Sequence, residues 1–229
     1  MSVHAVIFDM DGLLLDSERL ALENFQTTCR KFGLDDFTDV YLTCIGTNLA
    51  RTHEILQQAM GDTVDYPAFS QARETAYQAL INREAIPLKP GVAELLEYLK
   101  QHQIPVAVAT STQRERALLK LRHAGLADYF PVVIGGDQVT RSKPDPEIYL
   151  KAAAALGISP ADCLALEDSA NGVRAAVAAG MKVIQVPDLI QPDAQLLTLG
   201  HTICQSLTEV CRHCTFSQNV TSAVDSYCD

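Results

Sequence analysis

Five short apolar runs, VHAVIF (3–8), IPVAVA (104–109), VVIGG (132–136), CLALE (163–167) and KVIQV (182–186), alternate with stretches of helical periodicity. Runs this short, rich in β-branched residues and apolar at nearly every position, suit strands buried on both faces. Strands alternating with helices restrict the chain to an α/β fold with a parallel, doubly wound sheet. In PGVAELLEYLKQHQ the residues Val92, Leu95, Leu96 and Leu99 share one face, and Pro90-Gly91 mark its start. ALLKLRHAG and AAVAAG run into Gly125 and Gly180, which suit helix C-caps. Ser206 and Glu209 have the spacing of a capping box for a last helix.

One segment breaks the alternation. Between the first strand and the helix near 91–102 the chain reads as helix only. Leu22, Phe25, Cys29 and Phe32 recur at helical spacing, as do Leu49, His53, Leu56 and Met60, then Phe69, Ala72, Ala76 and Leu80. Three or four helices are too many for one crossover, so a separate small bundle is expected. The expected division is an α/β core of residues 1–15 plus 87–229 and a helical cap of residues 16–86, joined near Leu15–Asp16 and Ile86–Lys89.

In an open parallel sheet, ligands bind beyond the carboxyl ends of the strands. The first run ends in DMDG, giving Asp9 and Asp11, and the second gives Thr110 and Ser111. The third is followed by GGDQVTRSKPDPE, with Lys143, and the fourth by Glu167 and Asp168. Four carboxylates in one small pocket repel. At ~4 Å and an effective dielectric near 20, each pair costs on the order of 4 kcal/mol. A divalent cation removes that conflict, and hard oxygen ligands suit Mg²⁺. Thr110, Ser111 and Lys143 then read as donors to phosphate oxygens. Gly12 allows a turn directly after the acids.

These residues resemble the haloacid dehalogenase superfamily of phosphotransferases, over nearly the whole chain. The matching motifs are DxDG at 9–12, the hydroxyls at 110–111, KPDPEIY at 143–149 and LEDSANGVRAAVAAGM at 166–181. The helical insert resembles the cap of the subgroup containing β-phosphoglucomutase and sugar-phosphate phosphatases. The resemblance implies that Asp9 is a nucleophile forming an aspartyl-phosphate, and that Asp11 is first general acid and then general base. It implies Mg²⁺ held by the Asp9 carboxylate, the Asp11 main-chain carbonyl and Asp168, with Glu167 a further candidate. Acting as an acid calls for an Asp11 pKa raised by burial and neighbouring carboxylates. A cis Lys143–Pro144 bond is a further expectation.

The implied activity is Mg²⁺-dependent hydrolysis of a small phosphorylated metabolite, a sugar or polyol phosphate. A phosphomutase is the first alternative. Mutases of the β-phosphoglucomutase type carry a histidine twelve positions after the nucleophile, where this chain has Ala21, and its absence favours hydrolysis. A non-enzymatic phosphoacceptor resembling receiver domains is the second, disfavoured by Asp11 and by a cap that such a module does not need.

Several residues also have plain structural readings. Thr110 or Ser111 suits an N-cap for a helix at 113–124, and Ser169 and Asn171 open the helix after the fourth motif. Asn48 and Arg51 suit either substrate contact or a solvated helix start. The CRHC at 211–214, with His201 and Cys204 nearby, has no second C-x-x-C pair and reads as cysteines packed on a helix face. Asn219-Val220-Thr221 matches a glycosylation sequon.

Acids outnumber bases by 28 to 18, for a net charge of −10. That balance argues against a nucleic-acid partner and requires local positive charge to attract an anion. No apolar run is long enough to span a membrane, and seven scattered cysteines fit reduced thiols. A cytoplasmic monomer is expected.

Overall fold

The computed structural model describes residues 2–47, 49–213 and 215–217. Asn48, Cys214 and the 219–221 sequon lie outside the described residues. The first apolar run divides at His4 into β1 (Ser2–Val3) and β2 (Ala5–Phe8). Four helices follow, α1 (Ser17–Lys31), α2 (Thr38–Leu42), α3 (Leu49–Met60) and α4 (Tyr66–Arg83). Then come α5 (Val92–Gln101), β3 (Val106–Ala109), α6 (Arg114–His123), β4 (Val132–Ile134) and α7 (Glu147–Leu156). β5 (Cys163–Glu167), α8 (Ala170–Ala178), β6 (Lys182–Gln185), α9 (Ala194–Leu197), β7 (Thr202–Ile203) and β8 (Thr215–Phe216) complete the order.

Six strands form one parallel sheet in the order β4-β3-β2-β5-β6-β7, and β1 pairs separately with β8. Strand β2 sits centrally, with Phe8 opposite Val108 on one side and Leu166 on the other. The strands read as unbroken apolar runs because both faces are covered. Val6, Phe8, Val106, Val108, Leu164 and Leu166 join the core on one face. Ala5, Ile7, Ala107, Ala109, Cys163 and Ala165 face the other, against Ala152 and Ala153 of α7 and Ala175 and Ala176 of α8. Small side chains on both partners bring those helices close to the sheet.

The helical insert has its own buried cluster, built on Phe25, Cys29, Tyr41, Cys44, Leu56, Met60, Tyr66 and Phe69. Phe25 stacks on Tyr41 at 4.5 Å and meets Phe69 edge-on at 6.0 Å. Two residues of the helical pattern are exposed, Phe32 just past the end of α1 and Leu49 at the first turn of α3. The connecting segments run antiparallel. Leu15 bridges Leu88, Asp16 donates its amide to Pro87, and Lys89 donates its amide to Leu14.

The C-terminal capping box does not form. Residues Leu207–Arg212 make a 3-10 helix, and the Glu209 carboxylate accepts from the amide of Gln205, one residue before the expected Ser206. Cys211 is exposed, not packed on a helix face, while Cys204 is buried.

Candidate active site

Asp9 lies one residue beyond β2, where its amide donates to Leu166 O and fixes it between β2 and β5. Met10 is fully buried, and its carbonyl accepts from the amides of Leu14 and Leu15, turning the chain sharply after the acids. Gly12 occupies this turn with φ +87°, and a β-carbon there would overlap the Asp168 carboxylate. Position 12 therefore needs glycine for both its conformation and its closeness to the later acid.

Lys143, brought in after β4 through a cis Lys143–Pro144 bond, is buried. Its ammonium donates to Asp9 Oδ1 at 2.6 Å, to Glu167 Oε1 at 2.6 Å and to Ala109 O at 3.0 Å. All three donors are used. Burial acts to lower the Lys143 pKa, but Asp9 and Glu167 outweigh it and hold the amine charged.

Glu167 is wholly buried at the end of β5. One oxygen accepts from Lys143 and from the Tyr149 hydroxyl, and the other from the Asp168 and Ser169 amides and the Ser169 hydroxyl. A carboxylate offers about four lone-pair sites. Glu167 can contribute one ligand atom to a group with Asp9 and Asp168 in which the atoms lie within 4.8 Å of one another. Its saturation by donors nonetheless suits an anchor for Lys143 and the 168–169 loop better than a metal ligand. Ser169 caps α8, accepting from the Gly172 amide as its position suggests.

Asp168 is buried, and its carboxylate accepts no hydrogen bond from the described residues. Its carbonyl accepts from Gln185, whose side-chain oxygen meets His201 Nε2 at 2.8 Å. Among the described residues His201 and Cys211 belong to no group able to hold a metal ion. Burial, then the charges of Asp9, Glu167 and Glu18, push the Asp168 pKa well above the carboxylate range. Burial also raises Asp9 to about 8, with Lys143 opposing and Glu167 and Asp11 adding. A carboxylate that lines the cavity without a donor from the described residues, beside a second one and with both destabilised as anions, suits a hard divalent cation. Asp9, Asp168 and the Asp11 carbonyl would hold it.

Asp11 differs from the sequence expectation. Burial acts to raise its pKa, but Lys120, Ser17 and Thr112 outweigh burial and lower it. Ser17 Oγ and Lys120 Nζ donate to Oδ1 at 2.6 and 2.7 Å, and Thr112 Oγ1 donates to Oδ2 at 2.7 Å. Neighbouring acids promised a raised value; a buried lysine from another element reverses the sign. Thr110 Oγ1 lies 3.4 Å from Oδ2 and accepts from the Thr112 amide. The helix start expected at Thr110 or Ser111 falls later, on Gln113, whose own side chain makes no cap, while Asp137 Oδ1 accepts from the Arg114 amide. Ser111 lines the same cavity.

The cavity over these groups has a volume of about 260 Å³, and the helical insert forms its far wall with Tyr41, Thr47, Arg73 and Tyr77. Arg51 instead pairs with Glu54 at the surface, at 2.8 Å. Helices α4 and α6 meet beside the cavity through three contacts in register. Arg116 pairs with Glu74 at 2.6 Å, the Lys120 ammonium stands 5.3 Å from the Tyr77 ring centre, and His123 Nδ1 lies 3.0 Å from Ile81 O. Lys120, Thr112, Ser17, Tyr149 and Arg73 escaped the sequence reading. For Lys120 a signal existed, because it shares a helical face with the apolar Ala117 and Leu121.

Fold and site together define a doubly wound α/β protein with a helical insert over its strand ends, where buried carboxylates meet Lys143 and Lys120. The sequence pattern of haloacid dehalogenase-like hydrolases matches residues 6–186, and the chain belongs to that family. It is 37% identical to the phosphorylated carbohydrates phosphatase of Thermotoga maritima, over 80% of this chain and 84% of that one. It is 33% identical to hexitol phosphatase B of Escherichia coli O157:H7, over 90% and 93%. A solved structure of a CbbY variant from Rhodobacter sphaeroides in complex with xylulose-(1,5)bisphosphate superposes with TM-score 0.72 at 28% identity, covering 90% of this chain and 96% of that one. The chain is thus an enzyme of the hydrolase class, with relatives named as phosphatases.

Proposed function

We propose that this protein is a Mg²⁺-dependent phosphatase of a phosphorylated sugar or polyol, working through an aspartyl-phosphate on Asp9. In this reading residues 1–15 and 87–229 carry the chemistry, and the insert of residues 16–86 covers it. The observation that carries the reading is the Asp9–Lys143 contact of 2.6 Å, with the unpartnered Asp168 carboxylate in the same cluster. The names of the relatives support the carbohydrate part.

Lys143 holds Asp9 in place and supplies positive charge for the phosphoryl oxygens, aided by Thr110 and Ser111 at the approach to α6. The cation would neutralise charge shared between the phosphoryl group and the carboxylates. Asp9 attacks phosphorus, and the departing alkoxide takes a proton through Asp11, which must pick that proton up as substrate binds, because in the free protein Lys120, Ser17 and Thr112 favour its ionised form. Asp11 then removes a proton from water, whose oxygen bonds to phosphorus as the Asp9–phosphorus bond breaks. The cap excludes bulk water around the bound substrate. Ala21 offers only a methyl to the cavity, so that position holds no side chain able to restrain Asp11.

An aryl phosphate with Mg²⁺ tests the reading. Catalytic phosphate release, abolished by Asp9→Asn, is the expected result. Stoichiometric labelling without turnover would point to a phosphoacceptor. Isomerised sugar phosphate outrunning free phosphate, when a trace of bisphosphate is added, would point to a mutase.

A further inference from the structure

Lys120 is a lysine in the interior of α6, 5% exposed, whose ammonium is spent on one oxygen of Asp11 at 2.7 Å. A lysine only donates, so it fixes that oxygen as an acceptor, and the Thr112 hydroxyl stands on the other oxygen at 2.7 Å. The same ammonium stands over the ring of Tyr77 of α4, in the helical insert, 5.3 Å from its centre. The group expected to exchange protons with substrate and water is thus gripped by a cation whose site is completed by the cap.

We infer that Lys120 is a positioning residue for the second half of the reaction: through its contact with Asp11, and seated against Tyr77, it holds that carboxylate ready to accept a proton from the attacking water. This rests on the phosphatase reading. In the step concerned, water gives a proton to Asp11 and its oxygen to phosphorus. The Asp9–phosphorus bond breaks, leaving inorganic phosphate and the free Asp9 carboxylate. A lysine serving only to tie helix to core would affect folding and both halves of the reaction alike.

The test uses p-nitrophenyl phosphate, whose leaving group needs no proton, so the first half-reaction does not depend on an acid. Lys120→Met should lower kcat about 100-fold, the lower end of general-base effects, and lower KM in parallel. kcat/KM should then stay within about threefold of the unaltered protein. p-Nitrophenolate should appear in a burst of about one per chain, with phosphate trapped on the acid-quenched protein. Tyr77→Leu, which leaves the charge intact, should give the same pattern with a drop in kcat of about threefold to tenfold, and serves if Lys120→Met does not fold. A parallel fall of kcat and kcat/KM without a burst, in whichever variant folds, overturns the inference while leaving the phosphatase reading standing. No turnover by the unaltered protein overturns both.

Discussion

A β-carbon at position 172 would overlap the Glu167 carboxylate. The first turn of α8 therefore packs directly on the acid that anchors Lys143, and the space exists only because residue 172 has no side chain. Gly172→Ala should push Glu167 off its donors. The expected outcome is a loss of about 1–3 kcal/mol in stability from overpacking and a fall in kcat of at least about tenfold, checked by denaturant unfolding and steady-state turnover.

Glu167 and Asp168 are neighbours in sequence with different surroundings, the first met by five donors and the second by none of the described residues, and their amide variants should separate them. Asp168→Asn should raise the Mg²⁺ concentration for half-maximal activity by about tenfold or more. Glu167→Gln should change it by less than about threefold while lowering kcat, because Lys143 loses one of its two anionic partners. Metal titrations of turnover, with chelator-treated protein as the zero point, check both.

The raised pKa values of Asp9 and Asp168 make stability depend on pH in the metal-free protein. Each carboxyl binds its proton more tightly folded than unfolded, so the native state carries more protons above about pH 4, for Asp9 up to about pH 8. The contribution of these groups to stability is fully present below about pH 4, the unfolded carboxylate range, and declines as pH rises toward 8. Mg²⁺ should offset this decline, raising Tm more at pH 8 than at pH 5. Thermal unfolding at both pH values, with and without Mg²⁺, reads the difference; an equal rise at each would contradict it.

The Arg116–Glu74 pair joins α6 to α4 with both side chains about one-third exposed, at 37% and 30%. Such a pair is worth roughly 0–1 kcal/mol. Glu74→Gln should leave unfolding within that range. If the pair helps to hold the insert over the cavity, KM for a sugar phosphate should rise by about threefold with kcat nearly unchanged.

The strand-end residues were legible in the sequence because topology alone collects them: Asp9, Thr110, Lys143 and Asp168 each follow an apolar run, and a parallel sheet brings such ends together. The state of Asp11 was not legible, because the apolar face that Lys120 shares with Ala117 and Leu121 signals its burial but not its partner. That state is set by Lys120, distant in sequence and in the middle of a helix, where a lysine ordinarily reads as solvated. The displaced capping box near Ser206 shows the same limit at short range, since the spacing permits the contact but the neighbouring Gln205 amide takes the Glu209 oxygen. Glu167 lay between: its position was evident, but its saturation by Tyr149 and the Ser169 loop depends on packing that no spacing encodes.

Leu15 and Leu88 face each other across the two connecting segments. The sheet consequently meets some seventy intervening residues as little more than a short hairpin. A lineage can lengthen, shorten or replace what hangs from those two points without re-threading a single strand. Selectivity can thus vary in the pendant helices while the strand ends stay fixed, except at Ser17 and Tyr77, through which the insert also reaches Asp11 and its lysine.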